Sequence, residues 1–144
     1  MIVYEQAIDE MFGIINTAIT EYAPSLLSYT PAIYWPGELE PEIPDSSKFW
    51  FRVRQTTLHE AQITLRTESK RYTSYGQLLI ILFVPKRPEL FLTGRKLARL
   101  IRDSFRQASG GSVIYRYHRV KEEIPEDAIQ QFTVIINYEF DEEI

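Results

Sequence analysis

Seven consecutive apolar residues, Leu78–Val84, place the strongest constraint on how this chain can fold. The run follows Gly76-Gln77 and stops at Pro85. It is far shorter than the roughly 20 apolar residues of a membrane-spanning helix. A continuous apolar run of this length between glycine and proline predicts a strand that is buried on both faces. If helices cover one face of that strand, the other face needs a second cover, for which another subunit is a candidate.

Length and composition predict a single domain over residues 1–144. The formal net charge of -4 argues against a protein dedicated to coating DNA, although it leaves room for local basic patches. The absence of cysteine excludes disulfides and thiolate metal sites. The N-terminal residues Met1–Gln6 lack the features of a signal peptide, and we expect no membrane segment.

Two segments have the apolar spacing of amphipathic helices. The first extends from Tyr4 to Tyr22, and Pro24 is expected to stop it. The second is expected to begin near Thr93 and to run to about Gln107, before a glycine pair.

Strand patterns occupy much of the remaining chain. A short strand is predicted at Ala32–Trp35, and alternating apolar residues predict strands around 49–54 and 61–66, with His59 at the turn between them. Together with the apolar run, these make three strands after the short one, and the polar residues 67–74 form the tip of a long hairpin. Two further alternating strands follow the second helix, at 113–118 and 132–140.

This order of elements predicts an α+β fold. We expect a mainly antiparallel sheet, two amphipathic helices packed on one face of it, and a projecting hairpin. The fold class by itself assigns no chemistry.

Motifs for catalysis are missing from the sequence. There is no G-x-S-x-G and no phosphate-binding glycine pattern, and the two histidines, His59 and His118, have no ligand-type spacing. We therefore predict no catalytic residue, no metal site and no cofactor, and we expect that the protein is not an enzyme.

A basic stripe lies opposite the apolar side of the second helix. Its members recur three or four residues apart: Arg95, Arg99, Arg102 and Arg106. The stripe is either a solvated helix face or a contact for an acidic partner surface or a DNA backbone. The acidic segment Glu38–Asp45 of a neighbouring copy is one candidate for that partner, because arginine pairs readily with carboxylates.

The hairpin tip and two tryptophans carry a second set of candidates. Lys70, Arg71, Tyr72 and Tyr75 mix cations with aromatic rings, as a docking arm or an ordinary polar loop does. Strand alternation directs Trp50 away from the side of Phe49 and Phe51, which exposes its indole unless a second surface covers it.

In the order and spacing of its segments, the chain resembles the tail terminator, or tail completion, proteins of long-tailed bacteriophages and related prophages. The similarity covers nearly the whole chain. It consists of the N-terminal amphipathic helix, Ile33-Tyr34-Trp35-Pro36-Gly37, Phe49-Trp50-Phe51-Arg52-Val53, the segment from Tyr75 to Pro85, the helix pattern from Gly94 to Ile101, and a final alternating strand.

The resemblance implies a structural role without catalytic residues. Copies would form a hexameric ring that ends the tail tube and contacts both the tail-tube protein and the head-proximal connector of the neck. DNA would pass through the lumen without sequence-specific binding, and the ring would be assembled in the host cytoplasm and reside in the virion. Subunit or tube contacts are then expected at Trp35, Trp50, Arg54, Lys70, Arg71, Tyr72 and Tyr75.

Two alternatives remain open from the sequence. The chain could be another neck or head–tail connector protein, or a tail-tube subunit, which would polymerise without limit. It could also be a small ligand-binding or enzymatic domain, which would need a pocket with converging polar groups.

Overall fold

In the part of the chain that the structure describes, five strands form one sheet, and two helices pack on one of its faces. The computed structural model describes residues 4–38, 47–62, 71–108, 111–123 and 129–143. Its elements, in chain order, are α1 (Tyr4–Leu27), β1 (Ala32–Tyr34), β2 (Trp50–Gln62), β3 (Arg71–Pro85), α2 (Pro88–Gln107), β4 (Val113–Glu123) and β5 (Ile129–Glu143). The strand order is β1-β2-β3-β5-β4. Only β1 and β2 run parallel, so the predicted α+β fold with a mainly antiparallel sheet is confirmed.

The core lies between the helices and the side of the sheet that carries Leu78, Ile80, Leu82 and Val84. All four side chains are fully buried. Because Ile80 pairs with Val134 and the ladder is regular, alternate residues of β5 share this side. The helices supply the facing layer, with Met11, Ile15, Ile19, Leu97, Ile101 and Phe105 among its buried members.

The opposite side of the sheet is not covered by either helix, and we call it the open face. Leu79, Ile81 and Phe83 point to it by alternation along β3. Phe83 is buried, but Leu79 and Ile81 are only half-buried. Within the single chain, the apolar run is therefore buried on the helix side and at Phe83, and the second cover predicted for the other face is not supplied by this chain over Leu79 and Ile81.

Both helices differ from their predicted bounds. Helix α1 continues through Pro24 to Leu27, because a proline within a turn of the C terminus removes only one backbone donor. It ends where Ser28 adopts a left-handed φ of 68° and donates its N–H to the Pro24 carbonyl. Helix α2 begins at Pro88 instead of Thr93, since a proline in the first turn has its φ already set for a helix.

Among the described residues before the apolar run, one strand extends across the place where a turn between two strands was predicted. Strand β2 is continuous from Trp50 to Gln62 and contains a β-bulge between Thr57 and His59. The backbone of His59 therefore lies within a strand, and its expected place at a hairpin turn was wrong. A bulge changes the phase of the side-chain alternation, which explains why the sequence reads as two strands.

The β2–β3 hairpin is flanked by β5 along its described length. Register pairs reach Gln62 with Tyr72 on one side of β3 and Arg71 with Glu143 on the other. Residues 67–70 of the predicted tip, with Lys70 among them, lie outside the described residues, as do residues 63–66 of the predicted strand 61–66. Residues 71–74 belong to β3, so their expected place in the tip was wrong. Neither described helix is long and apolar enough to cross a lipid bilayer.

Candidate assembly surface on the open face

Trp50 is the centre of an aromatic cluster at one end of the open face. Its ring stacks on Phe83, with 3.8 Å between centroids and 8° between planes, because the two residues are register partners. Tyr34 meets it edge-on at 5.6 Å. Trp50 is only 6% exposed, so the expectation of an exposed indole was wrong. Neighbours in the same chain already cover the ring, although its Nε1–H is buried without an acceptor among the described residues.

Arginines border this aromatic cluster. The guanidinium carbon of Arg52 lies 5.7 Å from the ring centroid of Trp50 and 5.4 Å from that of Phe83, within the range of a cation–π contact. Arg54 follows on the same side of β2 and is exposed. An aromatic pair bordered by arginines is a common arrangement at protein interfaces.

Aliphatic side chains fill the middle of the open face. Leu79 pairs with Ile135 across β3 and β5, and Ile81 lies beside Arg52 on β2. Ile135 is buried by its neighbours, whereas Leu79 and Ile81 remain half-exposed. Covering these two residues would remove further apolar area from water, which is the main source of association free energy.

A shallow concavity of about 260 Å³ lies at the far end of the face. Three exposed apolar side chains line it: Leu58, Tyr75 and Tyr117, the last 73% exposed. Tyr117 has a φ of 54° and lies where the β4 register shifts, and Leu58 lies at the register shift of β2, so β2 and β4 each contribute a residue from a bulge. Only Tyr75 was among the predicted sites, and the bulges that present the other two break the alternation without a recognisable motif.

A close contact beneath this concavity holds the strands together. The Tyr138 ring lies over Gly76, and its hydroxyl accepts a hydrogen bond from the Gln55 side chain. A methyl group on Gly76 would collide with that ring and would lie 2.6 Å from the Thr56 carbonyl oxygen. Glycine is required here because a side chain from β5 crosses over β3 to reach β2.

Positive charge predominates among the charged side chains that border the aliphatic middle of the open face. Arg116 forms a 2.6 Å ion pair with Glu139, and Lys121 pairs with Glu123 at 3.0 Å. Arg54 and Arg119 are exposed, and neither has an acidic partner within the described part of the chain. This excess is local, because the whole chain carries a net charge of -4.

The predicted basic stripe on α2 is largely occupied within the chain. Arg95 makes a bidentate contact with Glu122 at 2.6 and 3.0 Å. Arg102 pairs with Asp103 at 3.0 Å, and Arg106 donates to the His118 carbonyl at 3.0 Å. Arg99 is exposed, with no ion pair to any residue that the structure describes.

His118 lies next to this stripe in the β4 bulge. Partial burial, followed by the charges of Arg106 and Arg102, lowers its pKa. Its imidazole therefore favours the neutral form. Within the described ranges, no three His, Asp or Glu side chains are grouped so that they could hold a metal ion.

The predicted contact residues do not form one patch. Trp50, Arg54 and Tyr75 share the open face, whereas Trp35 packs on Phe12 of α1 with 5.0 Å between ring centroids. Tyr72 lies on the opposite side of β3 from Tyr75 by alternation. Arg71 begins β3, and Lys70 precedes the described part of that strand.

Comparison with known proteins identifies a similar fold but no sequence family. No family model and no curated protein matches the chain. A chain from the virion of a native gene transfer agent particle aligns with a TM-score of 0.58 and 10% identity, over 89% of this chain and 92% of its own. A second solved structure aligns with a TM-score of 0.49 and 13% identity, over 89% of this chain and 94% of its own. The chain thus shares its fold, over nearly its whole length, with a protein of that gene transfer agent virion.

Proposed function

We propose that this protein is a structural component of a phage-type virion and acts as a tail terminator. Copies would form a closed ring at the end of the tail tube, in contact with the tube protein and the head-proximal connector. The fold shared with a chain of a gene transfer agent virion is the observation that carries the proposal. At 10% identity this similarity supports a shared fold and not a shared role. The proposed terminator role therefore also depends on the order of segments described in the sequence analysis.

The open face supplies a surface suited to such an assembly. Leu79 and Ile81 offer apolar area that neither helix covers, and it is bordered by Arg54 and Arg119, whose charges meet no acidic side chain among the described residues. A neighbouring subunit or the tube protein would bury the aliphatic centre and pair with the charged border. This division of an apolar centre and a polar border is typical of specific protein interfaces.

In this proposal the protein performs no catalysis, and DNA passes the ring without base-specific contacts. Exposed arginines that face the lumen would contact phosphates, which carry no sequence information. Such contacts weaken with salt, because they release condensed counterions.

Sedimentation velocity and negative-stain microscopy of the purified protein test the assembly. A closed ring with a fixed number of copies is expected. Tubes that lengthen with protein concentration would instead identify a tail-tube subunit, and a monomer at all concentrations would overturn the proposal.

A matched pair of lysine substitutions tests the open face. Ile81→Lys places a charge at its aliphatic centre and should prevent assembly while the monomer remains folded. Thr20→Lys, at an exposed position of α1, should assemble normally. If both variants form rings like the original protein, the open face is not the assembly surface.

A further inference from the structure

We propose that a groove at the N terminus of α2 binds the acidic segment 38–45 of a second copy. The proposal rests on the self-association proposed above and adds the contact that joins neighbouring copies. The groove has a volume of about 630 Å³. It is lined by Lys86, Arg87, Pro88, Phe91, Leu92 and Gln130.

The floor of the groove is apolar and exposed. Leu92 is 65% exposed, unusually open for a leucine, and it lies next to Phe91 at the start of α2. Phe91 is held in place by the Phe132 ring at 5.3 Å and by the Arg95 guanidinium at 4.7 Å. A rigid aromatic ring beside an exposed leucine suits an aliphatic side chain from a partner.

The side chain of Gln130 favours a ligand that carries a hydrogen-bond donor. It is only 5% exposed, it lines the groove, and its side-chain Oε1 has no hydrogen-bond donor among the described residues. A buried oxygen without a donor is unfavourable, so a ligand that brings an N–H group gains by pairing with it. The backbone of an extended peptide presents such groups at regular intervals.

The border of the groove is positive. Lys86 and Arg87 are both exposed, and no side chain caps the first turn of α2, whose dipole adds positive potential. Glu89 lies in the same turn but does not line the groove. An acidic peptide with aliphatic side chains is therefore the best chemical fit.

The segment 38–45 has this composition. Its sequence, Glu-Leu-Glu-Pro-Glu-Ile-Pro-Asp, alternates carboxylates with Leu39 and Ile43. The carboxylates of the segment thus complement the positive border of the groove, and its aliphatic side chains complement the apolar floor.

Chain length favours a second copy over the same chain. The segment connects β1 to β2, whereas Gln130 lies on β5, two strands beyond β2. The distance from β2 to β5 is two strand spacings, or about 10 Å. A segment that reached the groove and returned to β2 would cover this distance twice, which takes about six extended residues. Few of the segment's own residues would then remain to occupy the groove.

Reciprocal charge reversal tests the contact. One variant carries Lys86→Glu and Arg87→Glu, the other carries Glu40→Lys and Glu42→Lys, and Lys96→Glu, elsewhere on α2, is the control. Each double variant should weaken self-association about tenfold or more in sedimentation equilibrium, with thermal unfolding unchanged, while the control should associate normally. Mixing the two weakened variants should restore association, because each groove then meets a segment of opposite charge.

Each other outcome has a distinct meaning. If the two variants stay weakened after mixing, the groove does not receive the segment of another copy. If neither variant changes a ring that forms normally, this contact is refuted and the ring stands. If the unmodified protein never associates, both the ring and this contact are overturned.

Discussion

The two sides of β3 predict different costs for the same substitution. Leu82 is fully buried against the helices, whereas Leu79, on the same strand, is half-buried on the open face. Leu82→Ala and Leu79→Ala both shorten the side chain to a methyl group. Any difference between their effects on stability therefore reports the surroundings and not the chemistry.

The magnitudes follow from burial and cavity formation. For Leu82, the lost transfer free energy is about 2 kcal/mol, and the space left among packed core residues raises the cost to about 3–4 kcal/mol. For Leu79, water fills the space on the open face, so no cavity term arises. Only part of the transfer term is lost there, which gives about 1 kcal/mol.

Equilibrium unfolding in urea provides the assay, with protein dilute enough that copies do not associate. The free energies of unfolding of the two variants should differ by about 2–3 kcal/mol, with similar slopes against denaturant. In thermal unfolding the same difference should appear as roughly 8–12 °C for a chain of this size. At protein concentrations that favour assembly, the cost of Leu79→Ala should rise, because a covering subunit then contributes to the stability.

Equal costs for the two variants in dilute solution would refute this reasoning, because they would mean that the single chain covers both sides of β3. A larger cost for Leu79→Ala would mean that the helices pack on the other side.

Three further predictions follow from individual contacts. Gly76→Ala should destabilise the protein by about 2–3 kcal/mol in urea unfolding, because the new methyl group meets the Tyr138 ring; an effect below 0.5 kcal/mol would contradict that contact. Burial, and then the Glu10 charge, raises the pKa of Tyr115, so stability should fall as the pH rises above about 10, where only the unfolded chain ionises. Tyr115→Phe should reduce that alkaline loss at almost no cost at pH 7, since the hydroxyl is buried without a partner among the described residues; an unchanged alkaline slope would count against it. His118 should titrate below 6.5 in an NMR experiment, and Arg106→Gln should move its pKa upward, whereas no change in that variant would exclude the arginine as a cause.

Periodicity was sufficient to predict the fold class and the side of each helix that meets the sheet. Alternation also placed Trp50 correctly on the side opposite Phe51. The burial of Trp50 was not predictable, because it depends on the register that brings Phe83 beneath its ring. Register is set by pairing between distant segments, and no local pattern encodes it.

The errors at the ends of helices and strands share a cause. In each case the local sequence pattern is compatible with two different structures. The start of α2 was placed near Thr93 although Pro88 begins it, because proline is a signal both for breaking regular structure and for the first turn of a helix. Pro24 was taken as a helix stop although the last turn of α1 tolerates it. The bulge near Leu58 was taken as a turn, so the concavity that Leu58 helps to line was not predicted.

The shortness of β1 limits how this sheet could be extended. β1 pairs only with Trp50–Arg52, so from Val53 onward the outer edge of β2 has no strand partner within the described ranges. Such backbone edges are templates for an added strand, and uncontrolled addition leads to aggregation. The bulge at Leu58 interrupts the edge, which confines regular pairing to Val53–Thr57. A strand from outside could therefore add only a few hydrogen bonds at this edge before its register was lost.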